Sequence, residues 1–148
     1  MSNTVRREVI LPHPPTQVWE ALTTSDMLAE WLHPNDFEPR VGHRFTFNVA
    51  PKPEVKFDGL TVECEVLVLE PTNRLVFSWS AGGPVVDTRV SFLIEPIESG
   101  PNSSAGTRLL FEHSGFDLTH PFGKHAFKGA DYGWAGMLEK LASILKGY

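Results

Sequence analysis

The chain has 148 residues and a net charge of −5, from 18 acidic and 13 basic side chains. That length suits one domain over residues 1–148, and an acidic balance without a Lys/Arg cluster argues against nucleic acid or an anionic membrane as partner. The single cysteine, Cys64, excludes an internal disulfide and fits a reducing compartment. The N-terminus is not signal-like, and no apolar run approaches the about 18 residues of a membrane span, so we expect a cytoplasmic protein without membrane insertion.

The first part of the chain predicts one strand and two short helices. Residues alternate from Val5 to Leu11 as in a strand with one side turned inward. Residues 12–15 end it, because proline cannot donate to a β-ladder, and proline in a first helical turn favours a short helix at 15–22. Residues 24–26 offer N-cap side chains for a second short helix. The inward residues of that helix are expected to be Met27, Leu28, Trp31 and Leu32.

About five strands are predicted between residues 44 and 114, each from alternating apolar and polar positions. The first spans 44–48, the longest spans 61–70, and a polar loop at 98–106 precedes the last. Short turns between consecutive strands favour an antiparallel meander. The inward residues are expected to be Phe45, Phe47, Val62, Cys64, Val66, Val68, Leu75, Phe77, Trp79, Thr88, Val90, Phe92, Ile94, Leu109, Phe111 and His113.

The C-terminal segment, residues 122–146, predicts the one long helix. Its apolar residues recur every three or four positions, at Phe127, Ala130, Trp134, Met137, Leu138, Leu141 and Leu145. Gly129, Gly133 and Gly136 interrupt the pattern, and each costs about 1 kcal/mol relative to Ala. We expect a sheet or a bound molecule to lie against the bare backbone at these glycines. The alternative is a weakly amphipathic helix on a solid core.

Five segments of the chain resemble one family. They are PPTQVWEALT (14–23), LAEW (28–31), RVGHRF (40–45), EHSGF (112–116) and GWAGMLEKL (133–141). In this order they resemble the activator of heat-shock-protein-90 ATPase homologue-like family of the START/Bet v-like (SRPBCC) superfamily. The resemblance implies an α+β helix-grip fold, in which a curved antiparallel sheet wraps around a long C-terminal helix and two short helices follow the first strand. One departure is His43, where a second glycine is common, so the backbone there is expected to differ locally.

The resemblance also implies a range of functions. Members of the family are often cytoplasmic proteins with no assigned reaction. Relatives in the superfamily bind lipids, hormones or polyketides, and some catalyse cyclisation or hydration. The chaperone-activating role of the family name belongs to larger proteins with an additional N-terminal domain, so a chaperone partner is less strongly implied than a small hydrophobic ligand.

The aromatic residues predict a ligand pocket between the sheet and the C-terminal helix. Either these side chains fill a solid core, or they leave room for a small apolar or aromatic molecule. His113, and more weakly Arg89, would then be polar handles. The predicted pocket residues are Trp31, Phe45, Phe47, Cys64, Phe77, Trp79, Phe92, Phe111, His113, Gly133, Trp134 and Met137.

His113 is the candidate catalytic acid or base, because it shares an inward face with Phe111. The alternative is a buried histidine hydrogen-bonded to a neighbour. His113, His120 and His125 do not match a zinc-binding pattern, and Cys64 in a strand of valines is typical of a small hydrophobe. No metal or other cofactor is therefore expected.

Three functions stay open at this point. A binding module for a small hydrophobic molecule is favoured, and whether any reaction is catalysed is uncertain. The alternatives are a cyclase- or hydratase-type enzyme using His113, and a chaperone-regulating interaction module. Apolar Leu67, Leu69 and Leu93 on the predicted outer face of the sheet suggest a homodimer.

Overall fold

Six strands and three α-helices form the part of the chain that the computed structural model describes, residues 3–51, 53–55, 58–81, 88–98 and 105–146. In chain order the elements are β1 (Val5–Leu11), α1 (Pro15–Thr23), α2 (Ser25–Trp31), β2 (Arg44–Val49), β3 (Leu60–Glu70), β4 (Arg74–Trp79), β5 (Thr88–Glu98), β6 (Ala105–Ser114) and α3 (Pro121–Leu145). A short 3₁₀ turn, Pro53–Val55, lies between β2 and β3. The predicted α+β helix-grip architecture is confirmed.

The strands form one antiparallel sheet in the order β1-β6-β5-β4-β3-β2. β2 to β6 follow one another as a meander, and β1 joins the far edge beside β6. This order requires the chain to cross from one edge of the sheet to the other after β1, and α1 and α2 make that crossing. The sheet therefore begins and ends with β1 and β2 as its two edge strands.

The helix α3 covers the inner face of the sheet. Trp134, Leu138, Leu141 and Leu145 are each 4% exposed or less, as the three- and four-residue spacing predicts. The backbone of α3 comes within 8 Å of β1, α1 and α2. The middle strands β4 and β5 are reached mainly through side chains, so large rings must fill the space between them and the helix.

A bulge in β3 overturns part of the predicted alternation. Val66 pairs with Phe77 but Val68 pairs with Val76, so Leu67 is an extra residue in the ladder. Every later side chain of β3 then changes sides. The predictions that Val68 faces inward and Leu69 outward are wrong: Val68 lies with the outward Val76, whereas Leu69 packs against the core.

No strand of the described chain approaches Gly129, Gly133 or Gly136 closely. An added Cβ at Gly129 or Gly136 would meet nothing within 4 Å, and at Gly133 it would meet only Met137 Cε, at 3.9 Å. The prediction of a sheet against these positions is wrong. The close approach is at Gly123 instead, where a Cβ would lie 1.9 Å from the backbone oxygen of Asp117. The chain after β6 therefore packs directly on the first turn of α3.

Three local expectations are adjusted. Thr24 is the N-cap of α2 without a side-chain capping bond, and the Ser25 hydroxyl instead bonds to Asn35 Oδ1 at 2.8 Å. His43 adopts no positive φ, and Gly42 at +87° makes that turn alone. The polar loop expected at 98–106 is shorter, since β5 continues through Glu98 and β6 begins at Ala105, while residues 99–104 lie outside the described residues.

Candidate functional site

The predicted pocket residues converge between the inner face of the sheet and α3. Nine of them are buried, namely Trp31, Phe45, Phe47, Cys64, Phe77, Phe92, Phe111, His113 and Trp134. The other three, Trp79, Gly133 and Met137, are half-buried. We call these twelve residues the aromatic cluster, and its half-buried members the margin. Arg89 is exposed and opposite Ser114 in the ladder, so it lies outside the cluster.

The centre of the aromatic cluster is a continuous row of rings. The ring centroids are 5.5 Å apart for Phe45 and Phe77, and 6.2 Å apart for Phe77 and Phe92. They are 5.3 Å apart for Phe92 and Phe111, and 4.4 Å apart for Phe111 and Trp134. These are the distances at which aromatic pairs attract. The row connects the edge strand β2 with α3 through rings in contact.

His113 bonds through both of its ring nitrogens. Trp134 Nε1–H donates to His113 Nδ1 at 3.0 Å, and His113 Nε2 lies 3.0 Å from Thr88 Oγ1. The Thr88 hydroxyl in turn donates to the backbone oxygen of Trp79 at 2.6 Å. Indole N–H can only donate and a carbonyl can only accept. His113 Nδ1 must therefore be an acceptor, and its proton is on Nε2.

This hydrogen-bonded chain holds His113 in its neutral form. Burial lowers the pKa of His113 from 6.5 to about 3. Protonation of Nδ1 would also bring two N–H donors, from His113 and Trp134, face to face. A group that stays neutral and has no accessible nitrogen is poorly placed to move protons. The geometry favours the buried, hydrogen-bonded interpretation of His113 over the acid or base.

Sequence reasoning missed two neighbours of His113. Thr88 is predicted to face inward but is not among the predicted pocket residues, and Phe116 enters only as the last residue of the segment EHSGF. Phe116 is 3% exposed, and its ring centroid is 4.6 Å from that of His113. The available signal was Thr88 itself, because a hydroxyl on an inward strand face needs a buried hydrogen-bond partner.

The margin is the accessible side of the aromatic cluster. The Trp79 ring lies 5.5 Å from that of Trp134 and 5.6 Å from that of Phe47. Met137 is three residues beyond Trp134, which makes the two neighbours on one face of α3. Gly133, one turn before Met137, has no side chain that could cover Met137. The partly exposed members of the cluster are therefore an indole, a thioether and a helix position without a side chain.

Cys64 behaves as a hydrophobe in this setting. It is 4% exposed, and burial, with a smaller contribution from the charge of Asp36, raises the pKa of its thiol. The reactive thiolate is therefore disfavoured. Within the described ranges, no three His, Cys, Asp or Glu side chains are grouped so that they could hold a metal ion.

Two surface clefts of about 300 Å³ lie away from the margin. The first is mixed polar and apolar, and is lined by Asp36, Arg44, Phe45, Thr46, Glu63, Cys64, Glu65, Ser78 and Ser80. The second runs between β1 and α3, is mostly apolar, and is lined by Arg7, Glu8, Val9, Ala135, Leu138, Glu139 and Ala142. We call the second the β1–α3 groove.

A curved antiparallel sheet closed by a long C-terminal helix, with two short helices after the first strand, defines the helix-grip class. Within that class, the chain belongs to the activator of Hsp90 ATPase homolog 1-like family, whose model matches residues 12–146. No helix among the described residues has the length and apolarity to cross a membrane.

Solved structures of similar proteins cover nearly the whole chain. Protein MLL2253 from Mesorhizobium loti is 36% identical, with a TM-score of 0.77 over 97% of this chain and 96% of that one. Protein BH1534 from Bacillus halodurans is 26% identical, with a TM-score of 0.73 over 98% and 99%. The Aha1 dimer from Colwellia psychrerythraea is 22% identical, with a TM-score of 0.72 over 96% and 95%. Among curated proteins there is no significant match.

Proposed function

We propose that the protein binds a small apolar or aromatic molecule between the sheet and α3, at the margin of the aromatic cluster, without catalysing a reaction. The observation that carries this proposal is the closed hydrogen-bonded chain from Trp134 through His113 to Thr88. These polar groups satisfy one another, so the cluster offers a guest mainly ring faces and aliphatic atoms. Such a site recognises shape and hydrophobicity rather than charge.

The way α3 is held supports a guest at the margin. Its backbone approaches β1, α1 and α2, whereas the space toward β4 is spanned by the side chains of Trp79 and Trp134. Side chains can change rotamer where packed backbone cannot. Met137 adds a flexible, polarizable chain of the type found at adaptable binding surfaces.

Naphthalene is a suitable probe, because it is apolar and similar in size to an indole ring. Binding to the folded state alone raises the melting temperature, and at 100 times Kd it contributes about 2.7 kcal/mol. We expect naphthalene to raise the melting temperature and to change the fluorescence of Trp79 and Trp134. Absence of both effects would overturn the proposal.

Two glycines on the same helix provide a matched pair of variants. Gly133→Leu places a side chain at the margin, where the nearest outside atom to a new Cβ is 3.9 Å away. Gly136→Leu places the same side chain where nothing lies within 4 Å. We expect Gly133→Leu to abolish the naphthalene shift and Gly136→Leu to keep it. Equal responses from the two variants would contradict binding at the margin.

The family membership favours a second candidate, regulation of the Hsp90 ATPase through a complex with that chaperone. The test is the ATPase rate of purified Hsp90 with and without the protein. For this candidate we expect a stimulated rate that survives Gly133→Leu, because the margin is not the contact surface. An unchanged rate and no complex at high concentration would set it aside. A cyclase or hydratase draws no support from His113, whose nitrogens are both engaged.

Two smaller proposals accompany the main one. The dimeric relative from Colwellia prompts the proposal that this chain also forms homodimers. An acidic chain with one buried cysteine fits action in the cytoplasm, and we propose that location.

A further inference from the structure

The two edge strands of the sheet, β2 and β1, differ in whether another segment of the chain covers them. At β2, Asn48 N donates to the backbone oxygen of Pro34 at 2.9 Å, and Thr46 N donates to Asp36 Oδ1 at 2.6 Å. The segment before β2 therefore covers that edge. At β1, no strand among the described residues lies along the side opposite β6. An uncovered edge strand is a template for pairing with another strand.

The outer face next to the β1 edge carries paired charges of alternating sign. Arg108 bonds to Glu8 at 3.1 Å and lies 3.7 Å from Glu95, while Arg6 bonds to Glu112 at 3.0 Å. The row of charges formed by Glu95, Arg108 and Glu8 thus ends at the β1 edge with an acidic residue. The row formed by Glu112 and Arg6 ends there with a basic residue. Both end residues are more than half exposed, at 54% and 67% of the side chain.

We propose that β1 pairs with β1 of a second copy of this chain, antiparallel and centred on Arg7. This inference rests on the proposed homodimer and names its surface. Two-fold pairing about Arg7 places Arg6 opposite Glu8 of the other copy, and Glu8 opposite its Arg6. Each charge row then continues across the interface with alternating sign, and opposite-charge pairs stabilise facing strands. Pairing centred on Glu8 would instead place two glutamates opposite each other.

The inner side of β1 is compatible with this pairing. Arg7 lies there and pairs with Asp131 of α3, so its charge is already compensated when its copy comes opposite. Beside it the β1–α3 groove presents the apolar Val9, Leu138 and Ala142. Pairing of β1 with its copy would bring the two grooves together across the two-fold axis and shield their apolar sides from water. The outer face of the sheet, on which Leu69 is predicted to lie, takes no part in this contact.

Charge reversal tests the register. Arg6→Glu and Glu8→Arg each create two like-charge pairs per dimer, and we expect each to raise the dimer Kd by on the order of tenfold. The double variant, Arg6→Glu with Glu8→Arg, restores opposite charges across the interface while it places like charges beside Glu112 and Arg108 within each copy, and we expect it to associate more tightly than either single variant. Sedimentation equilibrium with native mass spectrometry measures the association, and circular dichroism checks that each variant is folded.

The outcomes separate the surface from the homodimer itself. A wild-type protein that stays monomeric at the highest concentration would overturn both the homodimer and its β1 surface. The β1 edge would then be available only to a different protein. A dimer that both single reversals leave unchanged would overturn only the β1 surface. A double variant that fails to recover association would overturn the register centred on Arg7.

A cross-link at the axis gives an independent measurement. In the proposed pairing residue 7 faces its own copy, at the about 4.5–5.5 Å between Cα atoms of opposite antiparallel residues. Arg7→Cys should therefore form a disulfide-linked dimer under mild oxidation. Arg6→Cys is the control, because its copies would be separated by more than the about 7 Å that a disulfide bridges. Equal cross-linking of both variants, or none at residue 7, would contradict the proposal.

Discussion

The two halves of α3 are held in different ways. In the second half, Trp134, Leu138, Leu141 and Leu145 are almost completely buried, and Trp134 is also hydrogen-bonded to the sheet. In the first half the apolar residues Ala126, Phe127 and Ala130 are only half-buried. The difference indicates that α3 is anchored from Trp134 onward. Its first half, apart from the first turn at Gly123, is packed less tightly against the rest of the chain.

Truncating the anchor should have the largest effect. Trp134→Ala removes a buried ring and leaves His113 Nδ1 without a donor, so we expect a loss of about 3–5 kcal/mol in the free energy of unfolding. Chemical denaturation measures it. Trp134→Phe keeps most of the ring and loses the donor, and should cost about 1–3 kcal/mol. Equal small losses in both variants would mean that Trp134 does not anchor the helix.

The positions of these anchoring residues could largely be predicted from the sequence, but their bonds could not. Alternation along β5 and β6 turned Thr88 and His113 inward, and helical spacing turned Trp134 inward. The hydrogen-bonded chain depends on how three separate elements meet. Val90 lies opposite His113 in the ladder between β5 and β6, and this register brings Thr88 within hydrogen-bonding distance of the imidazole. No local sequence pattern specifies the register of the two strands.

Two errors have the same physical origin. The extra residue in β3 changes the side of Leu69 without changing the apolar character of the sequence around it. The glycine that is required by close approach, Gly123, is opposed by Asp117 across the loop after β6. A bulge and a backbone contact are decided by tertiary geometry, whereas an alternating pattern reports only which residues prefer to be buried.

The second effect that we expect is a loss of stability at low pH, through His113 beside the anchored half of α3. The unfolded chain takes up a proton at His113 below about pH 6.5, whereas the folded chain resists until about pH 3. Stability from this group is therefore complete above pH 6.5 and falls as the pH drops toward 3, by about 2 kcal/mol at pH 5. Denaturation across this pH range measures the slope. His113→Gln can keep both hydrogen bonds without titrating, so its slope should be smaller, and identical slopes would contradict the assignment.

A larger side chain at Gly123 tests whether the loop after β6 holds the first turn of α3 in place. Gly123→Ala would place a methyl group 1.9 Å from the Asp117 carbonyl oxygen, and the resulting displacement should cost about 1–3 kcal/mol. Gly129→Ala is the control two turns later, where nothing opposes the methyl group. Thermal unfolding compares them. A Gly123→Ala protein as stable as Gly129→Ala would show that the loop after β6 does not press on the helix.

The smallest expected effects are gains, and they compare the two halves directly. Gly129 and Gly136 are both exposed, so Ala at either site fills no space and acts through helix propensity, worth about 1 kcal/mol. Gly136 belongs to the anchored half, and its substitution should raise global stability by that amount. If the first half opens before the rest unfolds, Gly129→Ala should raise global stability less and instead slow amide hydrogen exchange at residues 124–132. Equal global gains with unchanged exchange there would mean that both halves of α3 unfold as one unit.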